Sequence, residues 1–270
     1  MIIIERLIGF LQIIPIQRAA LAIAIAGSAF PVAGVWIIGL NIVPVRFAMM
    51  HVALLGISIG LLIGTDPNLT GIVLCAVTGA LLSPLARRAA GLAGTMGLVM
   101  TLAIALALLV LSLTGVNANG AFELLWGAIL ATRVSDVFSL AIVAIMIGVI
   151  YLWRRRDLAL LLYDREIALC SGINVERLTF ILMIVIAIAI GSAVRLTGAL
   201  LVDSITILPA LAARNLGRSL HEMVIWAVVI GLFGNLLGFG LTLLFNQPPG
   251  PILVITVGLI TLTTYFKRRS

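Results

Sequence analysis

Apolar segments of membrane-crossing length follow one another along almost the whole chain. No other feature limits the possible folds as much. Nine can be marked, at 18–39, 44–64, 69–86, 94–115, 136–153, 178–194, 197–213, 221–245 and 250–266. A helix needs about 20 residues to cross the hydrocarbon of a bilayer. There, every backbone N–H and C=O must be paired within the protein, so only helices and closed barrels cross. Barrel strands alternate apolar and polar residues, whereas these runs are continuous. The reading is an all-α polytopic bundle of eight or nine spans, a single domain over residues 1–270. Segment 197–213 is marginal in length and holds Asp203 and Pro209. It is expected to be broken or re-entrant, which would leave eight full spans.

Composition agrees and excludes other classes. The chain is 63% hydrophobic and 10% charged, with a mean hydropathy of +1.28. Its net charge of +7 is not a nucleic-acid footprint, because the bases sit at span ends as membrane anchors do. Cys75 lies in a span and Cys170 in a polar stretch, so no disulfide framework is expected. The run Ile2–Ile14 contains Glu5 and Arg6 and stops at Pro15. It reads as an interfacial helix and not as a signal peptide.

The bases orient the bundle. Alternating the sides places Arg46, Arg87, Arg88, Arg154, Arg155, Arg156, Arg165, Arg177, Arg214, Arg218, Lys267, Arg268 and Arg269 on one side, which is 13 of 17. Arg6, Arg18, Arg133 and Arg195 fall on the other. The positive-inside rule makes the first side cytoplasmic. The N-terminus is then outside and the C-terminus inside. The loop 116–135 is external, with Phe122–Ala131 as a helix lying on the surface.

Arg154–Arg177 is a polar island that holds 9 of the 27 charged residues. Within it Asp164 suits a helix N-cap and Gly172 a C′ position, with room for about two turns between them. Such a capped helix, flanked by arginines, suits a groove on another protein. It also suits the lipid headgroups, held by arginine–phosphate contacts, and the chemistry alone leaves both open.

The island stretch YDREIALCSGIN (163–174) is followed by RLTGALLVDSITILPALAARNLGRSL (195–220) and NQPPGPILVITVG (246–258). Together with HVALLG (51–56) and LLWGAILA (124–131), these resemble the permease subunits of ABC-type divalent-metal importers, the membrane partners in zinc and manganese uptake. The resemblance covers most of the chain, and GALLVDSITILPALAA (198–213) is its most specific part. It implies a type II ABC-importer-like permease for zinc, manganese or iron. It further implies that Asp164–Ile173, with Asp164, Arg165, Glu166, Ala168 and Gly172, is the coupling helix that meets an ATP-binding cassette ATPase. A homodimer and an extracellular metal-binding protein are implied as well. The chain has no G-x-x-x-x-G-K-S/T phosphate loop, so ATP hydrolysis belongs to another chain. No permanently bound cofactor is expected; the divalent metal is cargo.

Asp203 is the one acid in the interior of an apolar segment and His51 the one histidine there; Asp136, His221 and Glu222 sit at span ends. Ionisable groups at membrane depth are costly and mark pathways or pairs. Carboxylate and imidazole both suit a divalent transition metal, so these two residues are expected to line the metal path. A pairing of Asp203 with Arg195, or its capping of a half-helix near Pro209, are the structural alternatives. Members of the resembled family usually carry an aspartate four residues before the histidine, and here that position is Phe47. Met49 and Met50 read as packing. Asn235 reads as an interhelical hydrogen-bonding residue beside the close-packing glycines Gly231, Gly234 and Gly238. A proton- or sodium-coupled secondary transporter would also use Asp203 and His51, but leaves the capped helix without a role. No His-Glu-x-x-His cluster supports an intramembrane enzyme.

Overall fold

The computed structural model describes residues 13–85, 89–115 and 129–268. The expected helices at Ile2–Ile14 and Phe122–Ala131 lie largely outside the described residues. Among the described residues the regular elements are all helical. They are α1 (Ile14–Gly39), α2 (Val43–Ile63), α3 (Pro67–Leu82), α4 (Ala89–Leu113), α5 (Val134–Tyr163), α6 (Arg165–Cys170), α7 (Val175–Leu216), α8 (Leu220–Phe245) and α9 (Pro249–Arg268), with a 3-10 turn at Ile129–Ala131.

Among the described residues, seven of the nine apolar segments are helices long and apolar enough to cross a membrane. The third, α3, has 16 residues, about 24 Å at 1.5 Å per residue. The segments 178–194 and 197–213 form one helix, α7, broken in its dihedrals at Gly198 (φ 71, ψ 164). A left-handed φ of this kind is readily adopted only by glycine. The marginal segment is therefore a continuation across a break. Pro209 lies inside α7 and does not end it, so Asp203 caps no half-helix there. Beside the proline, the Thr261 hydroxyl of α9 donates to the Leu208 carbonyl at 3.0 Å.

The turns obey their residues. Asp66 caps α3, accepting from the backbone N–H groups of Asn68 and Leu69 at 2.8 and 3.3 Å, with Pro67 in the first turn. Ser219 caps α8 by accepting from the Glu222 N–H at 3.2 Å, while Glu222 reaches back to the Arg218 N–H at 2.8 Å. Asn246 ends α8 in the left-handed region (φ 51).

The chain forms two compact units. One contains α1 up to Val35, α5 up to Ala144, and everything from Leu196 onward. In it Gly231 of α8 meets α1 backbone to backbone: a Cβ there would strike Pro31 Cγ and the Gly27 carbonyl oxygen. Gly234 and Gly238 lie against Val257 and Leu253 of α9. The expected packing role of these glycines is realised on two different partner helices.

The other unit runs from Trp36 through α4, then from Ile145 to Arg195. Here α2 packs on α3 and α4. A Cβ on Gly56 would lie 2.6 Å from the Gly71 Cα, and one on Gly79 would lie 2.7 Å from the Ala187 Cβ. Without a hydrophobic drive between helices in lipid, such small-residue contacts supply the dispersion that holds them together. The polar island is not all loop. Helix α5 runs through Arg154–Arg156 to Tyr163, with a non-helical Arg154 (φ −110, ψ 18). Leu158 and Leu161 are buried and Leu162 lies against Gly39, so burial of this apolar run extends the helix past the charges.

Candidate functional site

The short helix α6 is built by its caps. The Asp164 carboxylate accepts from the Glu166 and Ile167 N–H groups at 2.7 and 3.1 Å. This satisfies two of the donors that a helix start leaves orphaned. At the other end the Gly172 N–H donates to the Leu169 carbonyl and the Ile173 N–H to the Ala168 carbonyl. Gly172 has φ 79, the left-handed C′ geometry. Asn174 then starts α7 by accepting from the Arg177 N–H at 3.0 Å.

Which side chains α6 presents differs from expectation in one residue. Ala168 is fully buried, so it is the seat of the helix and not its outer face. The exposed apolar side chains of the helix are Ile167 (46%) and Leu169 (52%), with the preceding Tyr163 at 83%; two residues apart on a helix, Ile167 and Leu169 project to opposite flanks of Ala168. Asp164 and Glu166 are exposed beside them and Arg165 is half-buried. The buried and exposed sides of so short a helix are not separable by composition, which is why the sequence did not reveal Ile167 and Leu169.

His51 lies half-buried on α2. Its Nδ1 sits 2.7 Å from the Phe47 carbonyl oxygen, one turn earlier. A carbonyl only accepts, so in the neutral imidazole Nδ1 carries the proton and Nε2 the lone pair. This is the arrangement that orients a metal-binding imidazole. Position 47, where the resemblance leads one to expect a carboxylate, supplies that backbone acceptor. Its phenyl ring carries the Arg46 guanidinium 4.2 Å from the centroid. Met49 and Met50 are buried, in keeping with packing.

Asp203 is half-buried on α7. Leu201, Val202, Ser204, Ile205, Thr206 and Ile207 around it are all buried, so this stretch faces protein on every side and not lipid. The side chain of Arg195 lies outside the described residues. Ser204, next to Asp203, is tied to α8. Its hydroxyl lies 3.0 Å from the Leu201 carbonyl and 3.2 Å from Asn235 Oδ1. Asn235 Nδ2 donates to the Gly231 carbonyl at 2.7 Å and to the Ser204 carbonyl at 3.4 Å. Asn235 is fully buried and thus fixes the turn of α7 that carries Asp203.

His51 and Asp203 belong to different compact units. Among the described residues no group of three or more His, Cys, Asp or Glu side chains is placed to hold a metal ion. A closed structural metal site needs about four ligands.

Relatives place this architecture. The chain is 26% identical over 223 residues to the "High-affinity zinc uptake system membrane protein ZnuB" of Haemophilus influenzae, covering 82% of this chain and 85% of that one. It is 24% identical over 254 residues to the "Manganese transport system membrane protein MntC" of Listeria monocytogenes, covering 93% and 90%. Its fold is similar to the solved structure "PsaBC from Streptococcus pneumoniae in complex with Fab", with a TM-score of 0.86 at 22% identity over 98% of each chain. The sequence matches the ABC 3 transport family over residues 12–268. That match spans nearly the whole chain, and the protein therefore belongs to the ABC 3 transport family.

Proposed function

We propose that this permease forms the translocation path of an ATP-driven importer for a divalent transition metal, zinc or manganese, and that α6 couples it to a separate ATPase. The carrying observation is the apolar pair Ile167 and Leu169, exposed on a helix whose two ends are capped and whose Ala168 is buried. Two large apolar side chains held out on the opposite flanks of a rigid, pre-ordered turn suit a groove that embraces the helix, because little entropy is lost on docking. The reading includes a homodimer, since one chain of this size supplies one half of an importer. It includes an external metal-binding protein that delivers the ion. It puts α6 and the C-terminus in the cytoplasm, where 13 of 17 bases fall by alternation. His51 and Asp203 are proposed to touch the ion in transit, His51 through Nε2.

The test is co-purification of the ATPase. Ile167→Glu with Leu169→Glu should abolish it while the permease keeps its thermal stability, because both side chains are exposed. Ala168→Glu should instead destabilise the permease itself, since it places a charge at a fully buried position. An intact complex with the double variant would overturn the coupling role.

A further inference from the structure

A cavity of about 720 Å³ opens between α5 and the junction of α6 with α7. It falls in the range of built small-ligand sites, about 300–1,000 Å³. Its wall is of two kinds. Ile150, Trp153 and Ile181 make an apolar side, and Arg154, Asn174 and Arg177 a polar end. The break in α5 at Arg154 separates the two sides.

The apolar side continues outward. Ile145, Val149 and Leu152 of α5 are exposed at helical spacing, a stripe suited to acyl chains. The stripe ends at Trp153, which is 81% exposed. Tryptophan concentrates at the headgroup level of a bilayer, so the mouth of the cavity lies at the membrane–water boundary. The polar end is cationic. Arg154 is paired with Asp157 at 2.8 Å, whereas Arg177 makes no ion pair among the described residues. One net positive charge therefore faces the cavity, and Arg155 and Arg156 follow on the exposed chain.

We infer that this cavity binds an anionic phospholipid, with its phosphate on Arg177 and Arg154 and its acyl chain along Ile181, Ile150 and the α5 stripe. Continuity with the lipid-facing stripe selects a lipid over a soluble phosphate. Ile167 and Leu169, the proposed docking pair, do not line the cavity, so it is separate from that surface. Ser171 and Gly172 do line it, so the lipid would brace the end of α6 against α5.

The test is native mass spectrometry of the full-length permease with phosphatidylglycerol or phosphatidylcholine of the same acyl chains. Phosphatidylglycerol should be retained about tenfold more strongly, the scale of one charge-assisted hydrogen bond. Arg177→Gln and Arg154→Gln should each remove that preference, with folding checked by thermal stability. Should either variant fail to fold, competition in the wild type decides: millimolar glycerol phosphate should leave the lipid bound. Equal retention of the two lipids, an unchanged preference in folded variants, or displacement by glycerol phosphate would overturn the assignment. So would loss of the lipid when the ATPase binds, which would make the cavity part of a protein interface.

Discussion

Ser204 and Asn235 tie two helices together at membrane depth: the Ser204 hydroxyl lies 3.2 Å from Asn235 Oδ1, and Asn235 Nδ2 donates back to the Ser204 carbonyl at 3.4 Å. The pair is fully buried and sits directly after Asp203. Removing Asn235 deletes its bonds to the Gly231 and Ser204 carbonyls, while the Ser204 hydroxyl keeps the Leu201 carbonyl; each lost hydrogen bond is worth about 0.5–1.5 kcal/mol. In a double-mutant cycle in detergent, Asn235→Leu and Ser204→Ala should couple by about 0.6 kcal/mol, with about 1.7 as the upper range for interhelical bonds in membranes. Strict additivity of the two variants would show that the pair is not a link.

The contact of α8 with α1 at Gly231 should be intolerant of any side chain. Gly231→Val must displace Pro31 and the Gly27 backbone, and overpacking of this kind costs about 1–3 kcal/mol or more. A Cβ added at Gly240 of the same helix would meet nothing within 4 Å, so Gly240→Ala should stay within about 0.5 kcal/mol of the parent. Thermal size-exclusion profiles of the two variants check the contrast.

Orientation can be read with the native cysteines. Cys170 is exposed on α6 and Cys75 is buried. If α6 is cytoplasmic, an impermeant maleimide should leave intact cells unlabelled and should label Cys170 only after permeabilisation. Cys170→Ser should abolish that signal. Labelling of Cys170 in intact cells would invert the topology and remove the docking role with it.

The proposed path residues predict a selective loss. His51→Ala and Asp203→Ala should each lower metal uptake about tenfold or more at limiting metal, the scale for weakening a metal site, while the ATPase still co-purifies. Met49→Leu should be close to neutral, because Met49 is fully buried packing. Normal uptake by both alanine variants would remove these residues from the path.

Much of this is legible in the sequence, for reasons that are local. The α6 caps follow from Asp164 and Gly172, and the α3 cap from Asp66-Pro67, because each depends on a few neighbouring backbone groups. The intramembrane role of Asn235 follows from the cost of leaving a polar group unpaired in lipid, and that of Gly231 from the close helix approach that a small residue permits. What sequence does not yield depends on tertiary partners. Helix α5 extends through three arginines because Leu158 and Leu161 find a buried seat. Ala168 faces inward because the rest of its unit covers it. Gly198 breaks α7 without ending it. His51 gains its Nε2 orientation from a backbone carbonyl that no side-chain motif advertises.

ATP-driven movement of a divalent metal through this chain can be measured as accumulation of zinc and manganese in cells that lack their own importers. The permease, its ATPase and its metal-binding partner are expressed together. One of these metals should accumulate, and the accumulation should disappear when the ATPase is made unable to hydrolyse ATP. No accumulation above cells without the permease would contradict the proposed function, as would accumulation that survives the inactive ATPase and collapses with a proton uncoupler.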